Sequence, residues 1–325
     1  MAGPLSHAGI ELHYRPTLSE FEYQTLHSDV SRREKLASLA AAARRLRRDK
    51  DNAGLSLIQR LLFPARLPGL DPPARLDAYD FDDALFLGSI SDQNRGASML
   101  KQEARRWRAY VRRARLVTAG NASLAGQARA AGARRVELLP SCVEPARYEL
   151  AHHDEREVIT IGWIGSQTTA AYIGPVMEAV ANLHAAGHRV RLRLVGAGSV
   201  GSFPWLEGRQ WALDREAADL AGFDIGVMPM PDTAWARGKC GYKLLQYFAA
   251  GVPAIASPVG VGTEMIGSER GLLARSVQDW ERAIVELAAD REARRQIGAT
   301  ARAYVEDHFS YSRWAPEFAS MLKEL

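Results

Sequence analysis

Cysteine is almost missing from this chain. Cys142 and Cys240 are the only two in 325 residues, far apart and in no metal-ligand spacing. That usage suits a reducing cytoplasm and excludes a disulfide scaffold or a thiolate zinc site. The eight histidines form no His-x-x-x-His or related cluster, so the sequence proposes no metal centre. No run approaches the roughly 18 uninterrupted apolar residues that a membrane-spanning helix needs. The opening Met-Ala-Gly-Pro lacks the basic start and apolar core of a secretory signal. Excess charge is also scarce, with 42 Lys and Arg against 38 Asp and Glu, a net +4. So mild a basic balance suits anionic partners such as nucleotides or phospholipids without choosing among them. Nucleic acid is the poorest fit. Single-strand binders interleave aromatic rings with their cations, and only Trp107 and Tyr110 stand near the basic run at 100–116.

What the chain does have is the composition of a soluble globular protein, 47% hydrophobic and 25% charged, at a length that accommodates two domains. Strand-like and helix-like segments alternate, which means α/β layers. In the first half, 31–50 reads as a helix with Leu36, Leu39, Ala43 and Leu46 on one face. GLSLIQRLLF (54–63) is strand-like, and LDAYDFDDALFL is a short strand running into aspartates. A helix over 100–116 follows, then the strand LVTAG and a helix from 121 with Asn121 as its N-cap. VELLPSCVEPARY (136–148) is a strand with a proline-punctuated exit. The polar, aperiodic 149–157 is a linker, in which His152 and His153 are exposed.

The second series has strands at 157–166, 189–196, 224–230, 254–257 and in GLLA, with helices between them. Three more helices finish the chain. The expected architecture is α/β with two facing Rossmann-like domains, 1–150 and 151–305. A final helix, 306–325, crosses back to the first. Ligands of such sheets lie beyond the carboxyl ends of the strands.

GAGSVG (196–201) matches a dinucleotide fingerprint literally. That fingerprint needs a helix to open, and Ser-Phe-Pro-Trp follows instead, so it reads as a tight turn after a strand. RGKCGYKLLQYFAAGVP (237–253) is more informative. A helix begins near Gly241, beneath Lys239 and Lys243, and Gly251 with Pro253 stops it. Free amides, the positive end of the helix dipole and two ammoniums together make an anion site. On spacing alone, a helix with solvated lysines is the equal alternative.

PMPDTAWARGKCGYKLLQYFAAGVPAIASPVGVGTE resembles the donor-site segment of glycosyltransferase family 4. YDFDDALF, VTAGNASLAGQA, VELLPSCVEPARY, IGWIGSQTT, RLRLVGAG and FDIGVMPMPD follow in the order that family would have them, over roughly 55–265. The resemblance implies a two-domain GT-B fold. It also implies a retaining, metal-independent transferase that needs no cofactor beyond its nucleotide-diphosphate-sugar donor, with a hydroxyl acceptor. The donor would be held by Gly165, Ser166, Thr168, Trp211, Arg237, Lys239, Cys240, Gly241, Tyr242, Lys243 and Gln246.

Three departures stand out. Gln246 and Gly238 occupy the places of two glutamates usual in the family, and Gly165-Ser166-Gln167-Thr168-Thr169 replaces its Gly-Arg…Lys. The opening MAGPLSHAGIELHYRPTL looks like the end of a first helix running into a second strand, with about 20 residues of the family fold before it missing. Leaving-group stabilisation then rests on Lys239, Lys243, Arg237 and amides near Gly165 and Gly241. The lost glutamates and short start keep open a non-catalytic nucleotide-binding protein, and a sugar-nucleotide epimerase shares the same fold.

Among Asp80, Asp82 and Asp83, the last two are equal candidates for orienting or deprotonating an acceptor hydroxyl, with capping or solvation as the alternative. Lys101, Arg105, Arg108, Arg112 and Arg115 form a cationic stripe. It suits either peripheral contact with anionic lipid at the inner face of a membrane or plain solvation. Trp107, Val111 and Ala104 lie on the packed face. Trp211 and Glu216 fall where related proteins contact a nucleotide base, although Trp211 could equally be core.

Overall fold

The computed structural model describes residues 2–27, 30–48, 54–63, 72–88, 102–154, 156–198 and 201–325. The chain divides into two compact units, Met1–Leu139 with Ala315–Leu325, and Pro140–Trp314.

The first unit holds four parallel strands in the order β1 (Leu57–Gln59), β2 (Ala78–Phe81), β3 (Leu116–Ala119) and β4 (Val136–Leu138). β2 and β3 are apolar along nearly their whole length because both sheet faces are covered. The Glu103–Arg113 helix buries Trp107, Tyr110 and Val111, and Trp107 meets Phe81 edge to face at 5.5 Å. Asn121 caps the Ala122–Ala130 helix, accepting from the Leu124 amide at 2.9 Å. The strand-like stretch at 54–63 shrinks to three residues, since Arg60 turns to a φ of 62°.

Two expectations for this unit need correction. Ala2–His7 is a helix, but the following 10–18 forms no strand, and Leu12 and Tyr14 are exposed. The Arg32–Arg48 helix forms, yet Leu36 faces solvent while Ser38 and Ala42 are buried. Leu39, Ala43 and Leu46 are half-buried, and a polar clamp ties the helix to the one before it. Buried Glu22, on the Glu20–His27 helix, takes both guanidinium nitrogens of Arg45 at 2.9 and 2.7 Å.

The second unit is a six-stranded parallel sheet, ordered β10 (Gly271–Leu273), β9 (Ala254–Ala256), β8 (Ile225–Met228), β5 (Ile159–Ile164), β6 (Val190–Val195) and β7 (Leu206–Arg209). Counted within the unit, this is the doubly wound order, whose direction reverses between β5 and β8. The Gly174–Ala185 and Val277–Ala289 helices cover one face of the sheet. Tyr242–Ala249 and Arg291–His308 cover the other. β7 is an addition to the sequence reading, because PWLEGRQW has neither the alternation nor the apolar run of a strand.

The stretch taken as a linker is docked on this unit. Ala151 N–H donates to Ala250 O at 2.8 Å, and His153 Nε2 lies 2.9 Å from Gly251 O. His153 is buried, not exposed, at a φ of 49°, while His152 stays in solvent. The Tyr311–Lys323 helix ends the chain, and its residues from Ala315 onward belong to the first unit.

Candidate functional site

The Tyr242–Ala249 helix is set against the point where the strand order reverses. β5 and β8 pair only through Ile161–Ile225 and Gly162–Gly226. Beyond that, the buried Tyr247 hydroxyl takes over. It accepts from the Ile164 amide at 3.2 Å and donates to Val227 O at 3.1 Å. Its ring needs Gly226, because a Cβ there would stand 2.6 Å from it. Gly162 makes the same allowance for Phe223. The two strands are thus spread at their carboxyl ends by an aromatic wedge, with the helix N-terminus over the opening.

At that N-terminus Gly241 is the N-cap, with a φ of 71° and no side-chain hydrogen bond to the first turn. A Cβ on Gly241 would meet Met265 Sδ at 2.5 Å, so both backbone and space demand glycine. No N-cap side chain therefore covers the first amides of the helix.

Lys243 lies in the opening. Its Nζ is 5.4 Å from the centre of the Trp163 ring and 3.5 Å from Thr169 Oγ1. Its Cε would be 2.8 Å from a Cβ on Gly165, so the lysine stem fits only because that residue is glycine. Among the described residues no carboxylate pairs with Lys243. Burial, and then the neighbouring charge of Lys239, push its ammonium down to about 8. A half-buried ammonium with no carboxylate partner among the described residues can take an anion.

The other predicted residues distribute around it. Lys239 Nζ is 5.0 Å from the Trp235 ring centre. Cys240 is half-buried, and Gly238 is buried beside it. A Cβ on Gly260 would lie 2.9 Å from Arg237 O, so the loop after β9 passes directly under this segment. Arg237 is exposed and paired with Asp232 at 2.7 Å. Ser166 and Thr168 are exposed. The neighbour of Lys243 is Thr169, whose hydroxyl donates to Ser166 O at 3.1 Å. Tyr242 is 47% exposed, Gln246 is buried, and the Tyr148 hydroxyl hydrogen-bonds to both. Burial pushes the Tyr148 and Tyr242 phenols up.

Trp211 is not core. It is half exposed, its Nε1–H donates to Glu216 at 2.7 Å, and its Cβ lies 3.3 Å from where a Cβ of Gly196 would stand. Gly196 and Gly198 take φ values of 80° and 84°, which is the tight turn expected there. Trp163, Thr169 and Tyr148 escaped sequence reading. Trp163 stands in a buried strand, Thr169 in the one-turn helix Gln167–Ala170 and Tyr148 in a loop, none with a periodicity that marks it.

In the first unit the three aspartates separate. Arg60 pairs with Asp83 and lies 3.5 Å from Asp82. Asp80 accepts from Thr118 Oγ1 at 2.6 Å and Gln59 Nε2 at 3.2 Å. Burial pushes its carboxyl up to about 6, opposed by the Thr118 hydrogen bond and aided by the charge of Asp82. The sequence favours Asp82 and Asp83 over Asp80, whose carboxyl is the buried one brought near neutrality by its surroundings. Of the arginine stripe, Lys101 lies outside the described residues. Arg105 and Arg108 are exposed, Arg112 donates to Ala131 O at 2.8 Å and Arg115 pairs with Asp77 at 3.4 Å. Among the described residues no cluster of His, Cys, Asp and Glu could hold a metal ion, and no helix is long and apolar enough to cross a membrane.

Residues 157–290 match the family described as glycosyl transferases group 1. No curated protein sequence gives a match. Among solved structures, sucrose-phosphate synthase from Thermosynechococcus elongatus is similar over 91% of this chain and 80% of its own, at 16% identity and a TM-score of 0.66. WaaG, a glycosyltransferase involved in lipopolysaccharide biosynthesis, is similar over 99% and 93%, at 14% identity and 0.61. Anabaena Alr3699/HepE in complex with UDP and glucose is similar over 76% and 71%, at 15% identity and 0.59. At these identities the likeness establishes the fold, two Rossmann-like α/β units of GT-B type.

Proposed function

We propose that this chain, whose residues 157–290 match the group 1 glycosyl transferases and whose fold is of GT-B type, transfers a sugar from a nucleoside-diphosphate sugar to an acceptor hydroxyl. The observation that carries the reading is Lys243, an ammonium without a carboxylate partner among the described residues, at an uncapped helix N-terminus over the strand reversal. Such a site takes a diphosphate. As the glycosidic bond breaks, negative charge grows on the leaving diphosphate, and Lys243, Lys239 and the Gly241–Lys243 amides hold it in place.

We assign Trp211, supported by Glu216, to the face that meets the base, and Gln246 with Tyr148 to a neutral hydrogen-bonding contact with donor hydroxyls. Transfer with retention, without a metal, is the chemistry we assign by resemblance. That the solved Alr3699/HepE complexes contain UDP, UDP-glucose or glucose supports a sugar nucleotide as donor. Arg105 and Arg108, exposed on one helix, are where contact with anionic lipid would fall.

The test is a thermal-shift screen of nucleoside-diphosphate sugars, since a bound donor stabilises the fold by mass action. One donor should raise the melting temperature of the wild type and leave Lys243→Met unmoved. Release of its nucleoside diphosphate should then require an acceptor alcohol. A Lys243→Met protein that binds and turns over donor normally would defeat the assignment.

A further inference from the structure

Among the described residues, no negatively charged group faces Lys243 in its seat. Trp163 on β5 offers a ring face at 5.4 Å, and Thr169 on the Gln167–Ala170 turn offers one oxygen at 3.5 Å. The charged group facing it is Lys239, from the loop before its own helix, and that contact is repulsive. Gly165 closes the seat from the strand end, so close that a methyl group would displace the lysine stem.

The Thr169 hydroxyl has its proton committed to Ser166 O, so the oxygen facing Lys243 is an acceptor. A hydroxyl oxygen accepts from an ammonium or an amine alike and, unlike a carboxylate, adds no negative charge that would fix the ammonium form. The seat therefore tolerates both protonation states of Lys243. A diphosphate arriving at the helix N-terminus tolerates only one.

We propose that this seat makes binding of a nucleoside diphosphate a proton-uptake step, with Lys243 the group that takes up the proton and Thr169 its positioning residue. The inference rests on the diphosphate reading of the site above. It adds that occupancy is gated by pH. Burial and Lys239 push the empty site's ammonium down to about 8, so at mildly alkaline pH much of the population is neutral. The bound diphosphate restores the charge, and one solvent proton moves to Lys243 Nζ as the ion pair forms.

The consequence is measurable. With the free-site value of about 8 and a much higher value in the complex, UDP should bind about tenfold more weakly at pH 9 than at pH 7. Calorimetry at pH 8.5 in two buffers of different ionisation enthalpy should show uptake of roughly 0.7 proton per UDP bound. Lys243→Arg stays charged throughout, and should bind with a flat profile and no uptake. Thr169→Val removes the acceptor and should move the alkaline fall-off to lower pH, while Thr169→Ser restores it. A residue that only supported the fold would change the melting temperature and leave that midpoint alone.

Wild-type protein that binds UDP with uptake below about 0.1 proton at pH 8.5 overturns the proton coupling and leaves the diphosphate site standing. A Thr169→Val midpoint equal to that of the wild type overturns the positioning role. Failure of UDP, GDP and ADP all to bind, at pH 7 where Lys243 is charged, overturns the diphosphate reading itself and the coupling with it.

Discussion

Tyr247→Phe removes one oxygen and leaves the ring that fills the space above Gly226. In the native chain that oxygen satisfies two buried backbone groups, the Ile164 N–H at 3.2 Å and the Val227 C=O at 3.1 Å. Ile164 and Val227 are 3% and 0% exposed, so water does not replace it. The ladder does not replace it either, because β5 and β8 stop pairing at Gly162–Gly226. An orphaned buried amide costs about 1–3 kcal/mol, and losing the bond to the carbonyl adds on the order of 1. The expected loss is therefore about 2–4 kcal/mol, concentrated where the two strands part. Hydrogen exchange followed by mass spectrometry over 159–166 is the assay, since it reads local opening even where a two-unit chain does not unfold in one step. Protection of that peptide should fall by roughly 30- to 700-fold, and UDP affinity should fall with it as the helix N-terminus loses its anchor. A variant within about 0.5 kcal/mol of the wild type, with unchanged exchange, would refute the idea that this hydroxyl holds the crevice open.

Two further outcomes follow from charge. Lys243 is pushed down from 10.5 to about 8, so its charged form is disfavoured by folding. That penalty is fully present below pH 8 and relieved as pH rises toward 10.5. It amounts to about 3 kcal/mol, so Lys243→Met should melt several degrees higher than wild type at pH 7, and the difference should vanish by about pH 10.5. Glu22 is held down at about 2, chiefly by its hydrogen bonds to Arg45. Its contribution is fully present above about pH 4.5 and lost as pH falls toward 2. Exchange protection of 20–48 should drop over that range in the wild type, while Glu22→Gln should be weaker at pH 7 and flat across it.

Much of the second unit was legible in the chain. Ile159–Ile164, Ile225–Met228 and Ala254–Ala256 are continuous apolar runs, the mark of strands covered on both faces, and Gly251 with Pro253 stops the helix that begins after Gly241. β7 and Trp163 were not legible, since one lacks periodicity and the other is one aromatic among many in a core strand. The first unit carries fewer local marks. Its Arg32–Arg48 helix keeps Leu39, Ala43 and Leu46 half-buried but leaves Leu36 in solvent, and the Glu22–Arg45 pair that ties it to the preceding helix, 23 residues apart, leaves no local pattern. The exposure expected of His153 failed for a related reason. A polar stretch becomes buried once its backbone and imidazole find partners at Ala250 and Gly251.

The sequence by itself determined that two lysines and a glycine-started helix stand together in an α/β unit, because helix starts, stops and apolar runs are local. It placed Thr168 in the site, and Asp82 and Asp83 ahead of Asp80. The fold sets Thr169 beside Lys243, buries Asp80 against Thr118 and pairs Arg60 with Asp83. Which of two adjacent threonines meets Lys243 depends on how the turn after β5 closes, and the upward push on the Asp80 carboxyl comes chiefly from its burial. Above all, only the packing of Lys243 between Trp163 and Gly165 turns a lysine at a helix start into a desolvated cation without a carboxylate partner among the described residues. Desolvation and pairing are properties of the folded surroundings, and no spacing of residues encodes them.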